Sequence, residues 1–151
     1  MKLALISVSD KSNLTTLTKF LLDNQYHIIS TGGTFKHICH NLSANDKKKV
    51  IQVSDYTGFP ELLEGRVKTL HPKIYSGILY DPSNEKHQKD FEEFSQSNHS
   101  QFNLEKIDLV VCNLYPFSET VANKNSSPED IIENIDIGGV SLIRASAKNY
   151  K

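Results

Sequence analysis

Lys2-Leu-Ala-Leu-Ile-Ser-Val8, Ser9-Asp-Lys11, a run carrying Leu14, Leu17, Leu21 and Leu22, then Tyr26-His-Ile-Ile29 and Ser30-Thr-Gly-Gly-Thr34: this opening stretch decides the fold. Residues 2–8 are apolar and partly β-branched, the pattern of a buried strand. Ser9-Asp10 offers capping side chains, and the leucines follow at helical spacing, so the pattern predicts a helix over Lys11–Asp23. Tyr26–Ile29 reads as a second strand, residues 30–34 as a turn, and Phe35–Cys39 as the opening of another helix. Strand, helix, strand, glycine turn, helix is the rhythm of a parallel α/β sheet. Met1-Lys-Leu-Ala-Leu-Ile6 also begins like a secretion signal. Its apolar run meets Ser7 and Ser9 and ends at Asp10, short of the roughly 7–15 apolar residues such a signal needs.

Further along, Val50–Val53 is a strand candidate. Residues 54–72 are rich in Gly, Pro, Asp and Thr, with a short helical piece at Pro60–Leu63. Ile74–Tyr80 has a mixed pattern and takes no assignment. The polar stretch 81–106 is read as an exposed helix around Glu85–Phe94 between two loops. Ile107–Cys112 is the clearest strand in the chain. Ser127-Pro-Glu-Asp130 is a strong helix start, with a cap, a first-turn proline and acids at the positive dipole end. That helix is expected to end near Ile135, and Gly138-Gly139 opens a last one through Ala147.

The chain has 151 residues, the size of one domain. A chain of this length buries about 70% of its unfolded surface. Its 17 basic and 18 acidic residues give a net charge of −1, which argues against a globally basic nucleic-acid binder. No apolar run is long enough to span a membrane. Cys39 and Cys112 stand far apart, which supplies neither a disulfide framework nor a metal-ligand spacing and fits reduced thiols in the cytoplasm. His27, His37, His40, His87 and His99 show no ligand spacing either, so no metal site is expected.

In an open parallel sheet, ligands sit beyond the carboxyl ends of the strands. Three loops meet that condition: Ser9-Asp10-Lys11, Thr31-Gly32-Gly33-Thr34, and Asn113 to Pro116. The Thr-Gly-Gly-Thr turn has the chemistry of a phosphate cradle, with hydroxyls, close amides and a following helix. Taken alone it reads first as a tight strand-to-helix turn that needs glycine, and it lacks the spacing of a Walker loop or a dinucleotide fingerprint. Gly65-Arg-Val-Lys-Thr-Leu-His-Pro72 gathers cations. An extended backbone would put Arg66 and Lys68 on one side, suited to a phosphate or carboxamide, although a polar surface loop has the same composition. Asp136-Ile137-Gly138-Gly139 offers free amides for an oxyanion and a carboxylate that is either a base or only a helix cap. Tyr115 either donates its phenol or packs on Pro116 and Phe117. Arg144 and Lys148 share a helix face. Asp136 and Lys148 are separated by about 18 Å of straight helix, too far to touch one small group.

Seven segments stand in order: 7–11, 30–34, 55–61, 65–72, 113–117, 135–139 and 144–149. Together they closely resemble the N-terminal IMP cyclohydrolase domain of the bifunctional AICAR transformylase/IMP cyclohydrolase family. The likeness covers the chain apart from residues 81–104. It implies an α/β, methylglyoxal-synthase-like (Rossmann-like) three-layer sandwich around a central parallel sheet. It also implies dehydrative closure of the formamido-imidazole-carboxamide ribonucleotide (FAICAR) to IMP, the last step of purine synthesis, without metal or organic cofactor.

Residues 1–151 are then expected to be one such domain, shortened at its C-terminal side and lacking the transformylase domain. The family also implies a homodimer of the full-length protein, in the cytoplasm, with a purine nucleotide as the partner molecule and neither nucleic acid nor membrane. By motif, Ser9, Asp10, Lys11, Thr31, Gly32, Gly33 and Thr34 would hold the nucleotide, chiefly its phosphate. Arg66, Val67 and Thr69 would line the pocket, and Cys112, Asn113, Ile137 and Gly138 would border the base. Lys148 matches the family's proton-transfer lysine, supported by Lys68, Tyr115 and Asp136. Tyr150 stands where the family often has His. Two other readings stand beside it: a lyase like methylglyoxal synthase, which shares the fold, and a non-catalytic nucleotide-sensing module like the regulatory domain of carbamoyl phosphate synthetase. Segments 65–72 and 135–139 argue against the lyase.

Overall fold

The computed structural model describes residues 1–96 and 103–150. Parallel strands β1 (Lys2–Ser7), β2 (Tyr26–Ser30), β3 (Val50–Gln52) and β4 (Leu109–Cys112) form one sheet in the order β3-β2-β1-β4. Around it run α1 (Leu14–Asp23), α2 (Gly32–His40), α3 (Ala44–Lys47), α4 (Val53–Thr57), α5 (Pro72–Leu79), α6 (Glu85–Gln96), α7 (Phe117–Ala122), α8 (Pro128–Glu133) and α9 (Gly138–Lys148).

The central strand explains the layering. β1 pairs with β2 on one side and β4 on the other, Ala4 lying opposite both Ile28 and Leu109. Its side chains alternate between two cores. Leu3 and Leu5 join Ile29 and pack against Val53 and Tyr56 of α4, Ile74 and Ile78 of α5, and Leu142 and Ala145 of α9. Ala4 and Ile6 point the other way, with Ile28 and Val50, onto Leu14, Leu21 and Leu22 of α1 and Ile38 of α2. An uninterrupted apolar strand is what a sheet covered on both faces requires. Each fully buried Leu or Ile contributes about 1.5–3 kcal/mol. The parallel α/β sheet expected from the opening stretch, and the three layers implied by the family resemblance, are therefore observed.

Several local expectations shift. α1 starts at Leu14 rather than Lys11, because Asp10 Oδ1 accepts from Ser12 N (2.8 Å) and holds the entry as a turn. α2 starts at Gly32, so the glycines lie inside its first turn. Val53 leaves the strand and begins α4, while Pro60–Leu62 is not helical; a 3-10 turn follows at Leu63–Gly65. The unassigned segment is α5, begun by His71, whose Nδ1 accepts from Lys73 N (3.1 Å). The last strand starts two residues late: Ile107 N donates to Gly77 O (2.9 Å), and Asp108 exchanges bonds with Leu3 before the ladder begins. α3 and α7 have no counterpart in the sequence reading. The capping box at Ser127 and Asp130 forms, and α8 ends at Glu133 rather than Ile135. Part of the polar stretch, with His99, lies outside the described residues.

The order of strands positions the site. The chain moves from β1 outward through β2 to β3, then crosses back so that β4 takes the opposite edge of β1. The reversal lies between β1 and β4, where an open α/β sheet forms its crevice.

Candidate functional site

A cleft of about 410 Å³ opens at the carboxyl ends of β1, β2 and β4, at that switch point. Its floor is the loop after β1. Ser9 N and Asp10 N both donate to Asn113 Oδ1 (2.6 and 3.2 Å), and Asn113 Nδ2 donates to Asp10 O (2.9 Å). One asparagine thus clasps the loops that follow the two strands. Lys11 folds back, its Nζ donating to Ser9 O (3.0 Å).

The Thr-Gly-Gly-Thr turn forms one wall. Thr34 is buried, and its hydroxyl donates to Val8 O (3.0 Å) while accepting from Val8 N (3.4 Å). Ser7 Oγ and Thr31 Oγ1 lie 3.5 Å apart. Thr31 precedes α2 but makes no side-chain capping bond, so the first-turn amides keep their donors for other acceptors. These groups suit an anion: hydroxyls, backbone N–H groups and the positive end of a nine-residue helix.

Opposite stands the 61–71 segment. Gly65 adopts φ +85°, a left-handed conformation that turns the chain so that Arg66 and Lys68 both reach the cleft. Each cation is paired. Arg66 Nη2 binds Glu133 of α8, and Lys68 Nζ lies 3.3 Å from Glu61 Oε1. All four side chains are well exposed to solvent except Lys68, at 26%. The sequence motifs give neither acid a role. Glu61 sits in one of the ordered segments and Glu133 in the helix after the capping box, but only the fold brings them to their cations.

The third wall is the start of α9. Asp136 Oδ1 accepts from Gly139 N (2.7 Å), so the carboxylate caps the helix and keeps Oδ2 in reserve. Thr69 lies so close to Gly138 that a Cβ there would sit 2.6 Å from its hydroxyl oxygen. Cys112, half-buried beside this wall, has its thiol pushed up to about 11, first by burial and then by the Asp136 charge. It remains a thiol at neutral pH, with Gly139 O and Asn113 O each 3.7 Å from its sulfur.

The structure brings Ser9, Lys11, Thr31, Gly33, Thr34, Arg66, Lys68, Thr69, Asn113, Tyr115, Asp136, Ile137 and Gly138 to one cleft. Asp10, Gly32, Val67 and Cys112 adjoin it without lining it. Lys148 is not brought there. It ends α9, about 15 Å along the helix from Gly138. Asn149, next in the chain, donates to Ile78 O and Tyr80 O (2.8 and 3.1 Å), near the amino end of β4. Ile132 and Ile135 add an apolar rim that the sequence reading did not include. Among the described residues, no group of three or more His, Cys, Asp or Glu could hold a metal ion, and no helix is long and apolar enough to cross a membrane.

The MGS-like domain family matches residues 13–141. Similar proteins include the bifunctional purine biosynthesis protein PurH of Thermoanaerobacter sp., 51% identical over 99% of this chain and 27% of the relative. The PurH of Acetivibrio thermocellus is 48% identical over 100% and 27%. That of Prochlorococcus marinus (strain MIT 9301) is 53% identical over 99% and 26%. The chain therefore spans about a quarter of the length of these curated relatives. Among solved structures, the crystal structure of ForH superposes with a TM-score of 0.73 and 30% identity, over 99% of this chain and 69% of that one.

Proposed function

We propose a function from one premise: the chain belongs to the MGS-like domain family. The reading is an IMP cyclohydrolase, a hydrolase-class enzyme acting at a cyclic amidine C–N bond, which closes FAICAR to IMP with loss of water. The observation that carries it is identity of about half, over essentially the whole chain, with relatives named for purine biosynthesis. The cleft's chemistry supports the same reading.

The phosphate sits against the Thr31–Thr34 turn and the Ser9–Lys11 loop, and the base points toward Asn113, Tyr115 and the start of α9. Holding both reacting groups of one molecule side by side adds to the advantage of an intramolecular reaction. The carboxamide nitrogen attacks the formyl carbon, and the carbonyl electron pair moves onto oxygen. The Lys68 ammonium and the Gly138 amide stabilise that charge; losing one such donor costs about 10²–10³ in rate. Asp136 Oδ2 takes one proton from the attacking nitrogen and the Tyr115 phenol gives one to the formyl oxygen, leaving a hydroxyl on the new ring carbon; loss of the formamide N–H proton then forms the ring C–N double bond as the C–O bond breaks, and the two protons released by nitrogen restore the phenol and complete the departing water. Lys148 lies outside the cleft of this chain, so its part in proton transfer rests on the family resemblance alone.

No metal or organic cofactor enters this scheme. FAICAR and IMP are the partner molecules, and the cytoplasm is the compartment that supplies them. Exposed Ile132, Ile135, Ile137, Val140 and Ile143 beside the cleft support a homodimer as the assembly. The test is to mix the protein with FAICAR and follow IMP by its ultraviolet absorbance. Turnover above the uncatalysed rate, lost in Lys68→Met, is the expected result. Tight nucleotide binding without turnover would instead favour a sensing module, and methylglyoxal formed from dihydroxyacetone phosphate would favour the lyase.

A further inference from the structure

Arg66 reaches the cleft on a long side chain, and two contacts fix its guanidinium. Nη1 donates to Leu63 O (3.1 Å), and Nη2 binds the Glu133 carboxylate of α8. A guanidinium is a planar fork, so anchoring two of its nitrogens sets the plane of the whole group. Both residues line the cleft. The helix that carries Glu133 is held at its own ends. Ser127 Oγ accepts from Asp130 N (3.1 Å), and Asn134 Nδ2 donates to Asp130 O (2.9 Å). Yet α8 buries no residue, and the Glu133 side chain is 58% exposed. Burial therefore contributes little to where this carboxylate stands, and its loss should cost the fold little.

We propose that Glu133 is a positioning residue for nucleotide binding: it acts through Arg66, holding the guanidinium in the orientation that the nucleotide meets. This rests on the reading that the cleft takes a purine nucleotide. A rotamer-rich side chain gives up its freedom when it grips a ligand, and that loss weakens binding. With Glu133 in place, the loss falls on the empty cleft, before the nucleotide arrives. The guanidinium carries several N–H groups in one fork, so carboxylate and ligand can be served by different ones. A carboxylate that only competed with the ligand for Arg66 would have the opposite effect on affinity, so the sign of the change decides between the two roles.

The experiment is calorimetric titration with IMP, and FAICAR turnover, for the wild-type chain, Glu133→Ala, Glu133→Gln, Arg66→Met and the Arg66→Met/Glu133→Ala double variant. Glu133→Ala should weaken IMP binding about two- to fivefold and raise KM for FAICAR by the same factor, the range an exposed pair and one pre-ordered side chain support. Its kcat should stay within about twofold. Glu133→Gln keeps an oxygen for Nη2 and should bind IMP nearly as the wild type does. In the Arg66→Met background, Glu133→Ala should have no further effect, whereas damage to the fold would weaken binding in both backgrounds. Tighter or unchanged IMP binding by Glu133→Ala, an equal loss with and without Arg66, or no IMP binding by the wild type would overturn the proposal. If Glu133→Ala weakens IMP binding only where Arg66 is present while FAICAR gives no IMP, the positioning role stands and the cyclohydrolase reading falls. Turnover that Glu133→Ala leaves unchanged in KM does the reverse.

Discussion

Two helices in this molecule begin with paired glycines, and the same substitution in each should have unequal consequences. Gly33 and Gly139 are both second residues of their helices, α2 and α9. A Cβ on Gly33 would meet nothing within 4 Å, whereas one on Gly139 would lie 2.6 Å from Asp136 Oδ2 and 2.8 Å from Leu114 Cδ2. Gly33→Ala should stabilise by about 0.4–1 kcal/mol through a less free unfolded chain. At about 2–4 °C per kcal/mol for this size, Tm rises by about 1–4 °C. Gly139→Ala receives the same gain. Leu114 is exposed and can move, but Asp136 must rotate, and its Oδ1 is bonded to Gly139 N at 2.7 Å. Losing that capping bond costs about 0.5–2 kcal/mol. The two variants should therefore differ by about 0.5–2 kcal/mol, or about 1–8 °C in Tm, in favour of Gly33→Ala. Displacing the Asp136 carboxylate should also lower FAICAR turnover by about 10²-fold. Differential scanning calorimetry and the absorbance assay measure both. A Gly139→Ala protein as stable as Gly33→Ala, with undiminished turnover, would refute the reasoning.

Three further outcomes are expected. Asp136→Asn keeps an oxygen acceptor for Gly139 N but loses the charge, so turnover should collapse with Tm nearly unchanged, whereas Asp136→Ala should lose both; a parallel fall in Tm for Asn would contradict the separate roles. Thr34→Val strands the Val8 backbone groups that its hydroxyl serves and should cost about 1–3 kcal/mol by denaturant unfolding; a loss below about 0.5 kcal/mol would show that water replaces the hydroxyl. His71 has its pKa lowered, first by burial and then by Lys73, and its neutral Nδ1 accepts from Lys73 N at the start of α5. The folded state thus binds fewer protons there, so this stability is present above the unfolded value near 6.5 and is lost as pH falls through the folded value. Denaturant midpoints of wild type and His71→Asn should converge as pH falls from the unfolded value through the lowered folded one; parallel curves would contradict this.

The part of the fold legible in the sequence is the part where local and tertiary demands agree. β1, α1 and β2 carry apolar residues at the spacing of their own structure and bury them where that spacing points. α5 was unreadable because Gly77 interrupts its pattern, and the reason for that glycine is a neighbour about thirty positions on: a Cβ there would lie 2.6 Å from Glu105 O. The rim loops were legible as chemistry because each follows a strand. The acidic partners of Arg66 and Lys68 were not, since Glu133 stands 67 residues from Arg66 and nothing local marks the pairing. Lys148 shows the opposite case, a residue whose suggested role comes from likeness while the straight run of α9 carries it away from the cleft.

The sheet order has a further consequence for the molecule in solution. β4 is Leu-Val-Val-Cys, without a charge, and among the described residues no strand lies beyond it. Its outer row of N–H and C=O groups is a template for another strand, and its side chains are only half-buried. Studied as this chain alone, the protein should precipitate or self-associate through that edge before it unfolds. Val111→Lys should suppress association, because it would repel a second edge approaching the same register, at some cost in stability, since Val111 also packs against the core on the Ala4 and Ile6 face.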